Sequence, residues 1–378
     1  MPRHFWLACL SLVAGCIEPE VEPDIENDSS EIRTRLYEVM PVCDRELVVR
    51  EKAKSMALLY CATGSIQGAG TAPPPTYPGY TRLVITQHGR GGNAKKYFET
   101  MSSIAAEYRE RTFVIAPQLL NMGEVLEDYD GTVGFVSGWH FQWGSRWPLG
   151  GLSSTSNGEP LARSSFEMHD QVLAAAVPLL PDLEEIVIVG QSAGGQLVNR
   201  YAATNQVGFP AGVNVRYIPM NPQSWLYLSD ERPFPELALA GGDIAPDEPG
   251  PVHLPTVCPH YNDYWTGLDK LDWGYFTANG ITPNDVIAQF KSRKVINMVG
   301  ENDIENPDPV FDCRYAVQGK NRNERAKAYY AHVMAFYAPI AANHSFFEVP
   351  GVAHGHEKMF DSPCGRRWIF DDLAQVCN

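Results

Sequence analysis

No apolar run in this 378-residue chain reaches the ~18–20 residues a bilayer-spanning helix needs, so none is expected. Positive charge is scarce: 30 Lys and Arg stand against 45 Asp and Glu, a net charge of −15. That balance excludes the electrostatic footprint of a nucleic-acid binder. The cysteines form no C-x-x-C pair, and none sits at zinc-finger spacing from a histidine, which argues against a structural zinc. Neither G-x-G-x-x-G nor G-x-x-x-x-G-K-[ST] occurs, so no dinucleotide or P-loop phosphate cradle is expected. Internal repeats are missing too. Apolar material is not in short supply: 44% of residues are hydrophobic, with 16 Phe, 17 Tyr and 8 Trp, enough for a large core. The 32 Gly and 29 Pro suit a loop-rich α/β or β architecture better than a helix bundle.

The N-terminus reads as an address. Met1, Arg3 and His4 form a short basic region, and Phe5 to Ala14 an apolar one broken only by Ser11. Leu12-Val13-Ala14-Gly15-Cys16 resembles a bacterial lipobox. The resemblance implies cleavage after residue 15, lipid on Cys16, and a membrane anchor without a spanning helix. Ile17, rather than Asp, after the cysteine points to the outer membrane and so to a periplasmic or cell-surface protein. Residues 16–31 form an acidic tether, with seven carboxylates from Ile17 to Glu31 and no basic residue. Once Cys9 and Cys16 are set aside, Cys43, Cys61, Cys258, Cys313, Cys364 and Cys377 remain. An even number in an exported chain implies up to three disulfides, with the pairing open.

Residues 32–378 read as one domain. Six short apolar runs each end at a turn: Leu83–Thr86, Phe113–Ala116, Ile186–Val189, Val213–Ile218, Val295–Val299 and Phe346–Val349. Such runs suit parallel strands buried on both faces. Helical patterns cover Ala94–Arg111, Ser165–Leu180, Ser192–Asn205 and Asn323–Tyr337. The alternation predicts a doubly wound, mostly parallel α/β sheet. Asp44–Leu59 reads as a helix ahead of the sheet, and Ala72–Pro78 as a Pro-rich loop. Two long stretches, about 118–164 and 221–290, fit neither strand nor crossover helix and carry tryptophans, including Trp143 and Trp225. They are expected to be aromatic-rich lid insertions over the substrate.

Gly190-Gln191-Ser192-Ala193-Gly194 is a G-x-S-x-G string entered by an apolar run and left by a helical pattern. That is the setting of a nucleophile elbow, with Ser192 at the strand's carboxyl end. A serine needs a base, and His354, after the last strand, is the candidate, with His356 its rival. The base needs a carboxylate: Asp303 is the first Asp after the strand at Val295, with Glu301 and Asp308 as rivals. Gln87-His88-Gly89-Arg90-Gly91-Gly92 can shape an oxyanion loop, in which the backbone N–H groups of Arg90 and Ala193 are the expected donors. His88, Gln191, Trp143 and Trp225 are the candidate lining of the substrate pocket.

From about residue 80 to 375 the chain resembles the α/β-hydrolase fold, and more narrowly secreted esterases of the poly(3-hydroxybutyrate)-depolymerase-like kind. The matching pieces are Gly190–Gln196, Gly300–Ile304, Gln318–Arg322 and Val349–His354, in that order. The resemblance implies carboxylic-ester hydrolysis through an acyl-enzyme. Ser192, Asp303 and His354 are the expected triad and no cofactor is expected; a metal site at His354 and His356 lacks a matched third ligand. The resemblance favours His354 over His356 by its spacing from the glycine after the strand. Gln191 departs from related elbows, which often carry His there. The expected partners are a small-molecule or polymeric ester and, through the anchor, a membrane. Two other readings remain: a serine peptidase or amidase with the same triad, and a non-catalytic binding module on a hydrolase scaffold.

Overall fold

The computed structural model describes residues 40–41, 43, 45–68, 72–108, 112–121, 126–127, 136–156, 158–239, 254–305, 312–336 and 342–377. The expected signal at 1–15, lipidated Cys16, tether at 16–31 and rival Asp308 lie outside them.

All six expected strands form. With two more they build one sheet: β1 (Arg45–Glu51), β2 (Lys54–Ala62), β3 (Arg82–Gln87), β4 (Thr112–Pro117), β5 (Glu185–Gln191), β6 (Asn214–Met220), β7 (Lys294–Gly300) and β8 (His344–Val349). Their spatial order is 8-7-6-5-3-4-2-1. Strands β3 to β8 run parallel, and β2 and β1 add on antiparallel at one edge. Side chains alternate across the sheet as a doubly covered strand requires. Leu83, Ile85, Ile186 and Ile188 face one core, and Val84, Val187 and Val189 the other.

Helix α1 (Ala94–Ala105) covers the second face with α6 (His356–Asp361) and α7 (Pro363–Phe370), through Tyr97, Met101, Phe360 and Ile369. The first face takes α2 (Ser165–Ala176), α3 (Ala193–Thr204), α4 (Pro283–Ser292) and α5 (Arg322–Phe336). Helix α2 stops earlier than its apolar pattern: the chain tightens to a 3₁₀ turn at Val177–Leu179, where Pro178 cannot continue the α-helical ladder.

Three expectations are corrected. The first is the helix at Asp44–Leu59, which is instead the β1–β2 hairpin. Its period is two: Leu47 and Val49 are buried while Glu46 and Arg50 face out. Lys52 makes the turn at φ 54°, and a Cys43–Cys61 disulfide ties the hairpin down. The second is the stretch 221–290, which does contain a crossover helix. Thr282 caps α4 in a capping box with Asp285, Pro283 opens it, and the helix leads into β7. The third concerns the tryptophans expected to face the substrate. Trp143, Trp147 and Trp225 have no more than 1% exposure and belong to the main core. Trp139 in the first stretch and Trp265 and Trp273 in the second are half-buried.

The six cysteines pair as Cys43–Cys61, Cys258–Cys313 and Cys364–Cys377. Such bonds persist in oxidising compartments, which fits an exported protein.

Candidate active site

The chain leaves β3 for β4 on one side and returns to β5 on the other. The carboxyl ends of β3 and β5, where Gln87 pairs with Gly190, therefore flank the topological switch point. Ligands of open α/β sheets bind there.

Strand β5 is buried almost throughout and turns abruptly into α3. Ser192 makes the turn at φ 60°, ψ −120°, a conformation few non-glycine residues hold without support. The support is close packing by glycines. A Cβ at Gly194 would lie 2.3 Å from the Gln87 carbonyl oxygen, and one at Gly195 2.4 Å from that of Met220. Side chains there would push the elbow off β3 and β6. The Ser192 N–H donates to Met220 O, which fixes the turn from below. Its side chain does not cap α3, and Oγ instead meets His354 Nε2 at 2.9 Å.

His354 follows β8 through a turn at Pro350-Gly351, where Gly351 has φ 69°. Its Nδ1 lies 2.9 Å from Asp303 Oδ2. The Asp303 side chain is 2% exposed and that of His354 38%, so the chain of hydrogen bonds runs from the interior to the surface. The second carboxylate oxygen of Asp303 faces Arg322 Nη1 at 3.7 Å. A buried carboxylate needs such partners. The Asp303 carbonyl accepts from Asn323 N–H, and Asn323 Nδ2 donates to Gly300 O at 3.0 Å. The start of α5 thus clamps the Asp303 loop.

The rivals sit elsewhere. Glu301 accepts from the Gly351 N–H at 2.7 Å, holding the histidine's loop without touching the imidazole. The His356 ring stacks on Tyr97 at 4.0 Å and 11°, on the α1 side.

Asn221 escapes sequence reading. Directly after β6, at φ 47°, it donates to the Ala353 carbonyl and accepts from Gly300 N–H at 2.8 Å. It joins the loop of Asp303 to the loop of His354. An asparagine ending a strand, where left-handed backbone is tolerated, was the available signal.

Beside Ser192 runs the loop 87–93. A Cβ at Gly89 would stand 3.5 Å from Ser192 Cβ, which puts the Arg90 peptide next to the elbow. Ala193 opens α3, where an N–H has no intrahelical acceptor. His88 is buried, with Nδ1 2.7 Å from Gly89 O, while Nε2 accepts from Leu119 N–H at 3.0 Å. Burial pushes its pKa down to about 4, against the Gly89 hydrogen bond, so the ring is neutral at pH 7. It shapes the loop from inside. Gln191, Trp143 and Trp225 are buried as well and present little surface to a ligand. Trp143 donates its indole N–H to Arg163 O, and Trp225 stacks on Tyr329 at 4.6 Å. None of the four expected lining residues forms an open wall.

No protein-family model matches the chain, and no curated protein matches its sequence. Solved structures do. LpqC, a poly(3-hydroxybutyrate) depolymerase from Bordetella parapertussis, superposes with a TM-score of 0.52 at 19% identity, over 92% of this chain and 97% of that one. Poly(aspartic acid) hydrolase-1 from Sphingomonas sp. KT-1 gives a TM-score of 0.46 at 18% identity, over 85% and 96%. At these identities the first likeness speaks to the fold, and the second adds nothing to it. The architecture is the α/β-hydrolase fold.

Proposed function

We propose that the protein is a serine hydrolase of carboxylic esters. The observation that carries this reading is the unbroken line Ser192 Oγ, His354 Nε2, His354 Nδ1, Asp303 Oδ2, with 2.9 Å at each hydrogen bond. In the proposed reaction His354 takes the Ser192 proton as Oγ attacks the ester carbonyl carbon. The Arg90 and Ala193 N–H groups receive the oxyanion. Collapse expels the alcohol, which takes its proton from His354. Water, deprotonated by the same histidine, then releases the acid and restores Ser192. Asp303 orients the ring and stabilises the imidazolium.

Among ester substrates, a hydroxyalkanoate polyester is the one the depolymerase neighbour brings to mind, and the half-exposed Ser192 and His354 suit a bulky substrate. The lipobox-like Leu12–Cys16 supports an anchored, exported form. Full-length protein should partition with membranes, and Cys16→Ser should release it.

The test is turnover of p-nitrophenyl esters from acetate to palmitate, of a p-nitroanilide, and of a poly(3-hydroxybutyrate) suspension by residues 31–378. Wild type should cleave esters, and Ser192→Ala should lose on the order of 10⁴-fold or more. Equal turnover by both proteins would remove Ser192 from the reaction. Faster anilide than ester cleavage would make the protein an amidase.

A further inference from the structure

The elbow residue before the nucleophile does more than pack. Gln191 is 3% exposed, and both ends of its amide are used. Its Oε1 accepts from the Tyr97 hydroxyl at 2.8 Å, and its Nε2 donates to the backbone carbonyl of His354. The amide orientation follows from chemistry, since a hydroxyl donor and a carbonyl acceptor demand opposite ends. Tyr97, on α1, is 7% exposed and also touches the other two parts of the site. A Cβ on Gly89 of the oxyanion loop would lie 3.0 Å from its hydroxyl oxygen. Its ring stacks on His356, two residues beyond the base, and Thr100, one turn on in α1, stands 3.5 Å from His356 Nε2.

We infer that Tyr97 and Gln191 are positioning residues that set the oxyanion loop, the nucleophile elbow and the His354 loop at fixed mutual distances. This deepens the serine-hydrolase reading and rests on it. The physical case is geometric. Ser192 and Gln191 leave β5 together, so a hydrogen bond from Gln191 to the His354 main chain fixes how far the imidazole stands from Oγ. The same amide is anchored by a hydroxyl that abuts Gly89, one residue from the expected Arg90 donor. Base and oxyanion donor are thereby referenced to one point. Neither residue touches the reacting atoms, so their removal should slow the chemical step without weakening ester binding. Misplacement by about 1 Å can cost on the order of 10²-fold in rate.

The experiment compares wild type, Tyr97→Phe, Gln191→Glu and Ser192→Ala. It reads kcat and KM on p-nitrophenyl butyrate, the rate of inactivation by a fluorophosphonate, and the melting temperature. Tyr97→Phe deletes one oxygen and leaves the ring stack. Gln191→Glu keeps the acceptor for Tyr97 but sets a carboxylate oxygen against the His354 carbonyl. We expect kcat to fall about 10-fold in the first and about 10²-fold in the second, with KM within about twofold and inactivation slowed in parallel. If both variants keep wild-type kcat and inactivation rates and only melt earlier, the pair is merely structural and the inference fails. If Ser192→Ala still turns over ester, or wild type does not react with the phosphonate, the hydrolase reading fails instead, and the inference with it.

Discussion

Two carboxylates follow β7 within three residues of each other, and only one reaches the imidazole. Asp303 meets His354 Nδ1 at 2.9 Å, whereas Glu301 meets the Gly351 N–H at 2.7 Å. Asp303→Asn should therefore cut kcat by on the order of 10³–10⁴-fold, because a neutral amide no longer stabilises the imidazolium or selects its tautomer. Glu301→Gln, which still accepts the same hydrogen bond, should stay within about fivefold of wild type. A reversal of the two effects on p-nitrophenyl butyrate would assign the acid to Glu301. Sequence spacing reaches these residues but does not separate them, since it shows which loop they share and not where each side chain points. The same limit holds for Gln191. As one residue of a turn it reads as lining, and its hydrogen bonds to Tyr97 and to the His354 carbonyl span sequence separations of 94 and 163 residues. Asn221 is hidden likewise, its partners Gly300 and Ala353 lying 79 and 132 residues away.

At the level of elements, the parallel strands are legible because burial on both faces leaves continuous β-branched runs such as Ile186–Val189. The β1–β2 hairpin is not. Its outer strand is an edge, so only Leu47 and Val49 of its seven residues are buried, and the interspersed Arg and Glu imitate an amphipathic helix. The tryptophans of the long stretches mislead in the opposite direction. Loop length suggests a lid, yet the bulk of Trp143, Trp147 and Trp225 fills core space beneath those loops. The elbow is legible, and the structure explains its glycines. Gly195→Ala would drive a Cβ to 2.4 Å from Met220 O on β6, a backbone atom that cannot swing away. We predict a loss of about 2–3 kcal/mol in urea unfolding. An unchanged midpoint would mean that α3 and β6 are less tightly apposed than described.

For the whole molecule, stability and pH are linked through a carboxylate remote from the chemistry. Asp170 on α2 accepts from Tyr201 at 2.6 Å and from Tyr275 at 2.7 Å, joining α2, α3 and the Gly274–Asn279 helix. Burial raises its pKa to about 6, against the two hydroxyls that pull it down. In the unfolded chain it is about 3.9. The folded state thus takes up this proton first. The associated stability is full below pH ~4 and is lost as pH rises through about 6. Relative to Asp170→Asn, wild type should gain up to about 2 kcal/mol between pH 7 and pH 4, read by urea unfolding at each pH. A constant difference would place the carboxyl in a wetter setting. Three disulfides, closing loops of 13 to 55 residues, hold the same scaffold together. The claim that this scaffold serves one reactive serine is tested most directly by intact-mass spectrometry after exposure to a fluorophosphonate. One phosphonyl group should be added, on the peptide containing Ser192, and His354→Ala should remove the reaction although the serine remains. A phosphonyl group on another residue, or equal labelling of the His354→Ala protein, would contradict the account.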